Sequence, residues 1–320
     1  MKVGFIGLGA MGLPMATRVV QAGHETFTMA HRRREPAEAL AALGARLLGS
    51  PAEIARAADV IVTILPADRE LRAVVFGDGG LLEGWSSSVP SSTMSSATSP
   101  KILIDMTTAT ALTMLEVADA VTRAGGLVLD APVSGGTPAA AQGTLTIMVG
   151  GEAALLERCR PLLDAMGRQI VHVGAVGQGK VVKIVNQMLA AAHLLLIGEA
   201  FALGVRAGAD PATLHEVLET SSGYSKMMDL RLPGFLLEGT FTPGFRLDLM
   251  KKDVYLALDS SRALNVPLLL TSVVAQVFSA ASAAGKGNED FAAAGQYVAD
   301  LAGVRLGGTA AAPSAAGSEQ

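Results

Sequence analysis

The chain has 320 residues, 50% of them hydrophobic and only 17% charged, which is enough for about two domains with sizeable cores and excludes a disordered chain. Lys and Arg number 25 against 29 Asp and Glu, a formal charge of -4, so no basic surplus exists to neutralise a nucleic-acid backbone. Cys159 is the one cysteine, which excludes an intrachain disulfide and a multi-cysteine zinc centre and suits a reducing, cytoplasmic setting.

Lys2–Gly7 (KVGFIG) is a short apolar run that predicts a strand buried on both faces. It enters a glycine turn, after which Met11, Met15, Val19 and Val20 recur at helical spacing until Gly23 stops the pattern. Further strands are predicted at Thr26–Ala30, Asp59–Leu65, Ile102–Met106 and Leu127–Leu129, and helices at Pro36–Leu43 and Glu116–Ala124. Near-continuous apolar strands alternating with helical crossovers predict an α/β Rossmann domain on a doubly wound parallel sheet. Trp85–Pro100 (WSSSVPSSTMSSATSP) has no periodicity and is expected to be a mobile surface loop or insertion.

After Gly151 helical patterns take over and strand signals almost vanish beyond Val173. Helices are predicted at Ala153–Met166, Lys180–Gly208, Pro211–Thr220, Leu249–Leu264 and Leu268–Gly285. The expected organisation is a dinucleotide-binding domain over 1–173, an all-α substrate and oligomerisation domain over 174–306 joined to it by the long helix, and a low-complexity, disordered tail over 307–320. Two segments imitate membrane signals. Val3–Ala16 is broken by four glycines, a poor signal-peptide core, and Met188–Val205 contains His193, Gly198 and Glu199, so a buried helix is expected and no membrane partner.

The local motif with the most specific mechanics is Gly7-Leu8-Gly9-Ala10-Met11-Gly12, placed between a buried strand and a helix. Gly7 permits the tight turn, Gly9 lets a pyrophosphate approach the backbone, and Gly12 lets the helix sit close to the strand. The purely structural alternative is a glycine-rich turn. An acidic residue about 20 positions on would bind the ribose hydroxyls of NAD. Here the second strand ends Met29-Ala30-His31-Arg32-Arg33-Arg34 with no carboxylate. His31, Arg32 and Arg33 therefore point to a 2′-phosphate, with NADP(H) preferred and NAD(H) possible, and at least one of the three arginines is expected only to solvate the next helix.

Ser134-Gly135-Gly136, directly after a predicted strand, exposes a hydroxyl and consecutive N–H donors, a cradle for a carboxylate or an ordinary turn. In GQGKVVKIVNQ (Gly177–Gln187), Lys183 and Asn186 lie three residues apart on one helix face. Spacing alone makes such a lysine solvated more often than catalytic. The five histidines (His24, His31, His172, His193, His215) never fall in a paired ligand spacing, and no metal site is expected.

Taken together and in order, these motifs resemble the β-hydroxyacid dehydrogenase family, which includes 3-hydroxyisobutyrate dehydrogenases and 2-hydroxy-3-oxopropionate (tartronate semialdehyde) reductases. The resemblance covers Lys2 to Val304. It rests on FIGLGAMGLPMA (Phe5–Ala16), ILP (Ile64–Pro66), IDMTT (Ile104–Thr108), DAPVSGG (Asp130–Gly136), GTLTIMVGG (Gly143–Gly151), GQGKVVKIVNQ and KKD (Lys251–Asp253). FTPGFRLDL (Phe241–Leu249) with Lys252-Asp253 looks most like the reductase branch.

The resemblance implies a Rossmann domain, a long connecting helix and an all-helical domain that makes homodimer or homotetramer contacts. It implies Lys183 as the catalytic lysine, Asn186 as the asparagine that holds lysine and substrate, and Ser134, Gly135 and Gly136 as the carboxylate-binding turn. It further implies Leu65, Pro66 and Thr108 along the cofactor ribose and nicotinamide, and Lys252 as a cofactor contact from the helical domain. The partner is then a small carboxylate-bearing aldehyde or hydroxy acid. One departure falls at Thr220–Lys226 (TSSGYSK), where the reductase branch tends to carry a Gly-Ser segment facing the substrate tail. Other readings compete: a 3-hydroxyisobutyrate dehydrogenase or succinic semialdehyde reductase, an imine reductase, a group that usually lacks the lysine matched by Lys183, and a non-catalytic dinucleotide sensor on the same fold.

Overall fold

The computed structural model describes residues 1–86 and 100–307. Two compact units emerge, Met1–Asn186 and Gln187–Gln320. In the first, β1 (Lys2–Ile6), α1 (Gly12–Gln21), β2 (Glu25–Thr28), α2 (Glu35–Ala42), β3 (Arg46–Leu47), α3 (Pro51–Ala57), β4 (Val60–Thr63), α4 (Asp68–Phe76) and α5 (Leu81–Ser86) precede β5 (Ile102–Asp105) and α6 (Ala111–Arg123). Then come β6 (Leu127–Asp130), β7 (Val133–Ser134), α7 (Gly136–Gln142), β8 (Leu145–Gly150), α8 (Ala153–Asp164), β9 (Gly167–Gly174) and α9 (Gln178–Arg206). The division between units falls within α9.

The sheet runs β3-β2-β1-β4-β5-β6-β8-β7, with β9 on β8. Its first six strands are all parallel, and the strand order reverses at β1, between β2 and β4. The crevice beyond the carboxyl ends of strands at that point is where a doubly wound sheet binds its ligand. Strands β1, β4 and β5 are apolar almost throughout because helices cover both faces. On one side Val3, Phe5, Val62 and Ile104 pack with Met15 and Val19 of α1. On the other Ile61 and Leu103 pack with Ile54, Leu71 and Val117.

The far end of the sheet departs from the all-parallel expectation. β8 pairs antiparallel with both β6 and β7, because the connection through α7 is shorter than the dozen or more residues a parallel crossover needs. β9, pairing parallel with β8, carries the sheet to Gly174. Trp85 also departs from expectation. Its indole, placed by composition in a surface loop, is 3% exposed and packs in the core with Ile54 and Val121. The remainder of that expected loop over 87–99, and the expected tail from 308 onward, lie outside the described residues.

The second unit is helical: the rest of α9, α10 (Pro211–Glu219), α11 (Lys226–Arg231) running into a π-turn at Leu232–Leu236, α12 (Leu247–Leu264), α13 (Leu269–Ala283) and α14 (Ala293–Leu301). Its core gathers Leu194, Phe201, Leu232, Val254 and Phe278. By length and composition α9 could cross a membrane, but it contributes Ala191, Leu194, Leu195, Ile197 and Phe201 to that core.

Candidate active site

Five segments singled out by sequence follow the strands β1, β2, β4, β5 and β7 of the first unit. After β1 the chain turns at Gly7 (φ +107°), where a Cβ would stand 2.1 Å from the Ile64 carbonyl oxygen. At Gly12 a Cβ would stand 1.7 Å from the Gly7 oxygen, whereas one at Gly9 would meet nothing within 4 Å. Gly7 and Gly12 are thus fixed by packing, and Gly9 opens onto free space. Leu8, Met11 and Gly7 are partly covered, while Gly9 and Ala10 are exposed. No side chain caps α1 and no acidic residue stands in its first turn, which leaves the helix start electropositive. An open cradle over an uncapped helix start fits a dinucleotide pyrophosphate.

Beyond β2, His31, Arg32 and Arg33 are exposed and Arg34 pairs with Glu38 one turn into α2. Arg34 is therefore the arginine that solvates the helix start. Beyond β4, half-buried Leu65 donates its N–H to Thr107 Oγ1 at 3.0 Å, with Pro66 exposed next to it. Thr108 follows β5 and is half-buried. These two loops are joined again by Asp68, the first residue of α4, whose Oδ1 accepts from Thr110 N (2.9 Å) and Oγ1 (2.7 Å). Burial raises the Asp68 carboxyl, but hydrogen bonds from Thr113 and Thr110 outweigh it and hold the group below its ordinary value.

Ser134 ends β7 half-buried, and the backbone then takes φ +135° at Gly135 and +70° at Gly136. Both values lie where a side chain is strained. The turn opens α7 with no side-chain cap.

Lys183 and Asn186 sit on α9. Lys183 is 7% exposed, so the solvated alternative for this lysine does not hold, and Asn186 is half-buried. What fixes the start of α9 is Asp130, fully buried at the end of β6, which accepts from Gly177 N (2.7 Å) and Lys180 N (2.9 Å). A Cβ at Gly179 would stand 2.6 Å from Asp130 Oδ2, so the helix approaches this closely only because Gly179 has no side chain. Asp130 lies four residues before Ser134 in the chain, and its carboxylate ties the end of β6 to the start of the helix that carries Lys183. The sequence reading had given Asp130 no role.

A second buried carboxylate, at the end of β5, carries no local sequence signal either. Asp105 accepts from Thr63 Oγ1 (2.6 Å), Thr107 Oγ1 (2.7 Å) and Lys180 Nζ (2.6 Å). In the second unit, Lys252 of α12 pairs with Asp253 Oδ1 at 2.8 Å, and Asp253 Oδ2 accepts from Gln187 Nε2 at 2.7 Å. His215, Glu219 and Asp229 of that unit bring one ligand-type atom each within 4.8 Å of one another, a proximity no sequence spacing shows. His215 and Glu219 pair, and Asp229 accepts from the Tyr224 hydroxyl.

Residues 2–174 match the family described as the NAD binding domain of 6-phosphogluconate dehydrogenase. Residues 177–298 match the one described as the NAD-binding domain of NADP-dependent 3-hydroxyisobutyrate dehydrogenase. The chain is 37% identical over 307 residues to 2-(hydroxymethyl)glutarate dehydrogenase of Eubacterium barkeri, covering 96% of this chain and 98% of that protein. It is 33% identical over 306 residues to 2-hydroxy-3-oxopropionate reductase of Escherichia coli, covering 96% and 100%. A crystal structure of 3-hydroxyisobutyrate dehydrogenase from Salmonella typhimurium superposes with a TM-score of 0.78 at 32% identity, over 93% of this chain and 99% of that one.

Fold, glycine turn and relatives together define an NAD(P)-dependent oxidoreductase. Within that class, the chain belongs to the β-hydroxyacid dehydrogenase family.

Proposed function

We propose that the chain reduces, reversibly, a small 3-oxo carboxylic acid to its 3-hydroxy counterpart, that its substrate is 2-hydroxy-3-oxopropionate, and that NADP(H) is preferred over NAD(H). The observation that carries the reading is the buried Asp130, which ties the start of the Lys183 helix to the strand leading into Ser134. Ser134, Gly135 and Gly136 hold the substrate carboxylate through the hydroxyl and backbone N–H groups. Lys183 stands at the carbonyl oxygen. In reduction its ammonium gives that oxygen a proton as negative charge builds there, and in oxidation the neutral amine takes the proton from the hydroxyl. Asn186, one turn on, holds lysine and substrate in register.

Gly7 through Gly12 cradle the pyrophosphate, with Leu8, Gly9, Ala10 and Met11 presenting backbone to it. His31, Arg32 and Arg33 surround the ribose 2′-position, Leu65, Pro66 and Thr108 line the ribose and nicotinamide, and Lys252 adds a contact. When bound, the nicotinamide supplies or accepts the hydride at the substrate carbon. The absence of an acid at 29–34 and the exposure of Arg32 and Arg33 support the NADP preference. The 1–173 domain carries the dinucleotide cradle and the Ser134 turn, and the 174–306 domain carries Lys183, Asn186, Lys252 and a homodimer or homotetramer contact. Leu189, Leu196 and Leu203 recur every seventh residue of α9 at 49%, 59% and 74% exposure, a pattern that supports self-association. The setting is cytoplasmic.

The names of these three relatives share one chemical core, a primary alcohol on the carbon β to a carboxylate, and differ in the α-substituent: a hydroxyl, a methyl or a carboxyethyl arm. The 37% identity to the glutarate enzyme favours one second reading, with 2-formylglutarate as the substrate. Purified protein offered 2-hydroxy-3-oxopropionate, methylmalonate semialdehyde, 2-formylglutarate and succinic semialdehyde, each with NADPH and NADH, decides between them. The highest kcat/KM should fall on 2-hydroxy-3-oxopropionate with NADPH. A maximum on 2-formylglutarate selects the second reading, and no turnover on any acid refutes both. Lys183→Ala should lower kcat by about a thousandfold or more while NADPH still binds.

A further inference from the structure

Lys180 is the largest charged side chain with no exposed surface at all, on a helix whose other lysine is assigned the chemistry. Its Nζ donates to three oxygens: Asp105 Oδ2 at 2.6 Å, the Asp105 carbonyl at 2.8 Å and the Thr107 carbonyl at 2.8 Å. All three donor positions of the ammonium are thereby used. The other carboxylate oxygen of Asp105 receives the Thr63 and Thr107 hydroxyls, and Thr107 Oγ1 receives the Leu65 N–H. One buried knot thus joins the end of β4 with its Leu65-Pro66 loop, the end of β5 with Thr108, and the start of α9. Lys183 lies one turn further along that helix, on the same face as Lys180 at i+3.

A fold needing only to bury this space would use an apolar side chain, because an ion pair repays its desolvation only in good geometry and is often replaceable by packed hydrophobic residues. Here geometry is what the pair supplies. Asp130 fixes the helix start from β6 through two backbone N–H groups and leaves rotation of the next turn to be set. The three bonds of Lys180 to Asp105 of β5 and to Thr107 just beyond it set it.

We propose that Lys180 and Asp105 are a positioning pair, which fixes the Lys183 turn of α9 against the β4 and β5 loops and so governs the rate of the chemical step without holding either ligand. The proposal rests on the functional reading above. Its predictions differ from those for a catalytic or a merely stabilising residue. In Lys180→Met, kcat should fall about 10- to 100-fold, the scale of an ångström-level misplacement. The NADPH dissociation constant from fluorescence titration and the KM for the acid should stay within about threefold, because the glycine turn and Ser134 lie outside the knot and the Leu65 N–H keeps its bond to Thr107 Oγ1, itself still held by Asp105. Hydrogen exchange without any ligand should quicken in peptides covering 63–66 and 178–186, and stay unchanged over 7–12. Asp105→Asn keeps the two carbonyl acceptors for Lys180 and should give a smaller fall in kcat and a smaller change in exchange.

A Lys180→Met enzyme with kcat within threefold of wild type, or with kcat and NADPH affinity falling together, overturns the proposal. If Lys180→Met does not fold, Asp105→Asn carries the test by the same readouts. Failure of both to fold assigns the pair to folding alone and also overturns it. Wild-type turnover on the acid panel is the control: an inert wild type sinks the functional reading and this proposal with it, whereas an active wild type with an unaffected variant sinks the proposal alone.

Discussion

The Gly7–Gly12 turn and the knot around Asp105 stand at the ends of neighbouring strands and contribute to one site, yet they are specified in opposite ways. The turn is written in six consecutive residues, and what it does follows from side chains that are missing. The knot is written in bonded pairs up to 75 positions apart, and what it does follows from polar side chains brought together in the dark. Local backbone chemistry is legible before folding; a buried charge pair exists only after it.

The largest effects expected from the turn come from restoring what it lacks. Gly12→Ala would place a Cβ 1.7 Å from a backbone oxygen that cannot move aside. The helix must shift, at a cost of about 1–3 kcal/mol, and NADPH affinity should fall roughly a hundredfold with it, about 2.7 kcal/mol. At Gly9 the same methyl meets no protein atom. Gly9→Ala should therefore weaken NADPH binding while leaving the thermal midpoint close to wild type. Calorimetry of both variants beside fluorescence titration reads the difference. Equal loss of stability in the two would show that Gly9 is fixed by packing after all and would break the contrast.

A smaller effect belongs to the edge of the turn. Replacing Arg32 by Asp puts a carboxylate in the cationic stretch that follows β2. It should lower the ratio of kcat/KM for NADPH over NADH by about tenfold or more, which is 1.4 kcal/mol. An unchanged ratio would remove the phosphate argument from these arginines.

Sequence reading recovered the doubly wound parallel sheet because β1, β4 and β5 are short, apolar and bounded, and it recovered α9 and α12 because they are long. Its failures share a physical cause. Helix α6 begins at Ala111, not Glu116, since Thr110 caps it through Thr113 N, a cap without the acidic partner that usually advertises one. Helices α3, α7 and α14 are seven to nine residues long and rich in Ala, Gly or Pro, so tertiary packing rather than periodicity settles them. Trp85 was read by its serine neighbours, though a lone Trp carries more burial energy than a run of serines carries polarity. In the site, Lys183 and Asn186 were visible as a spaced pair, while Asp105, Asp130 and Lys180 were not, because no local pattern says which carboxylate will meet which amide across the sheet.

Between the legible turn and the hidden knot lies Asp68, a half-exposed version of the same device, tying the loop after β4 to the start of α6 through Thr110. Its native value lies below 3.8 despite burial, because Thr113 and Thr110 donate to the ionised form. A group whose native value is depressed stabilises the fold at pH above its unfolded value. That stabilisation is lost as pH falls through the lower native value. Asp68→Asn should therefore cost about 1 kcal/mol at pH 7, with the difference from wild type shrinking once pH drops below 3.8. Urea unfolding of both proteins at pH 7 and pH 3 measures it. A difference that is the same at both pH values would mean that Asp68 acts through shape and not charge.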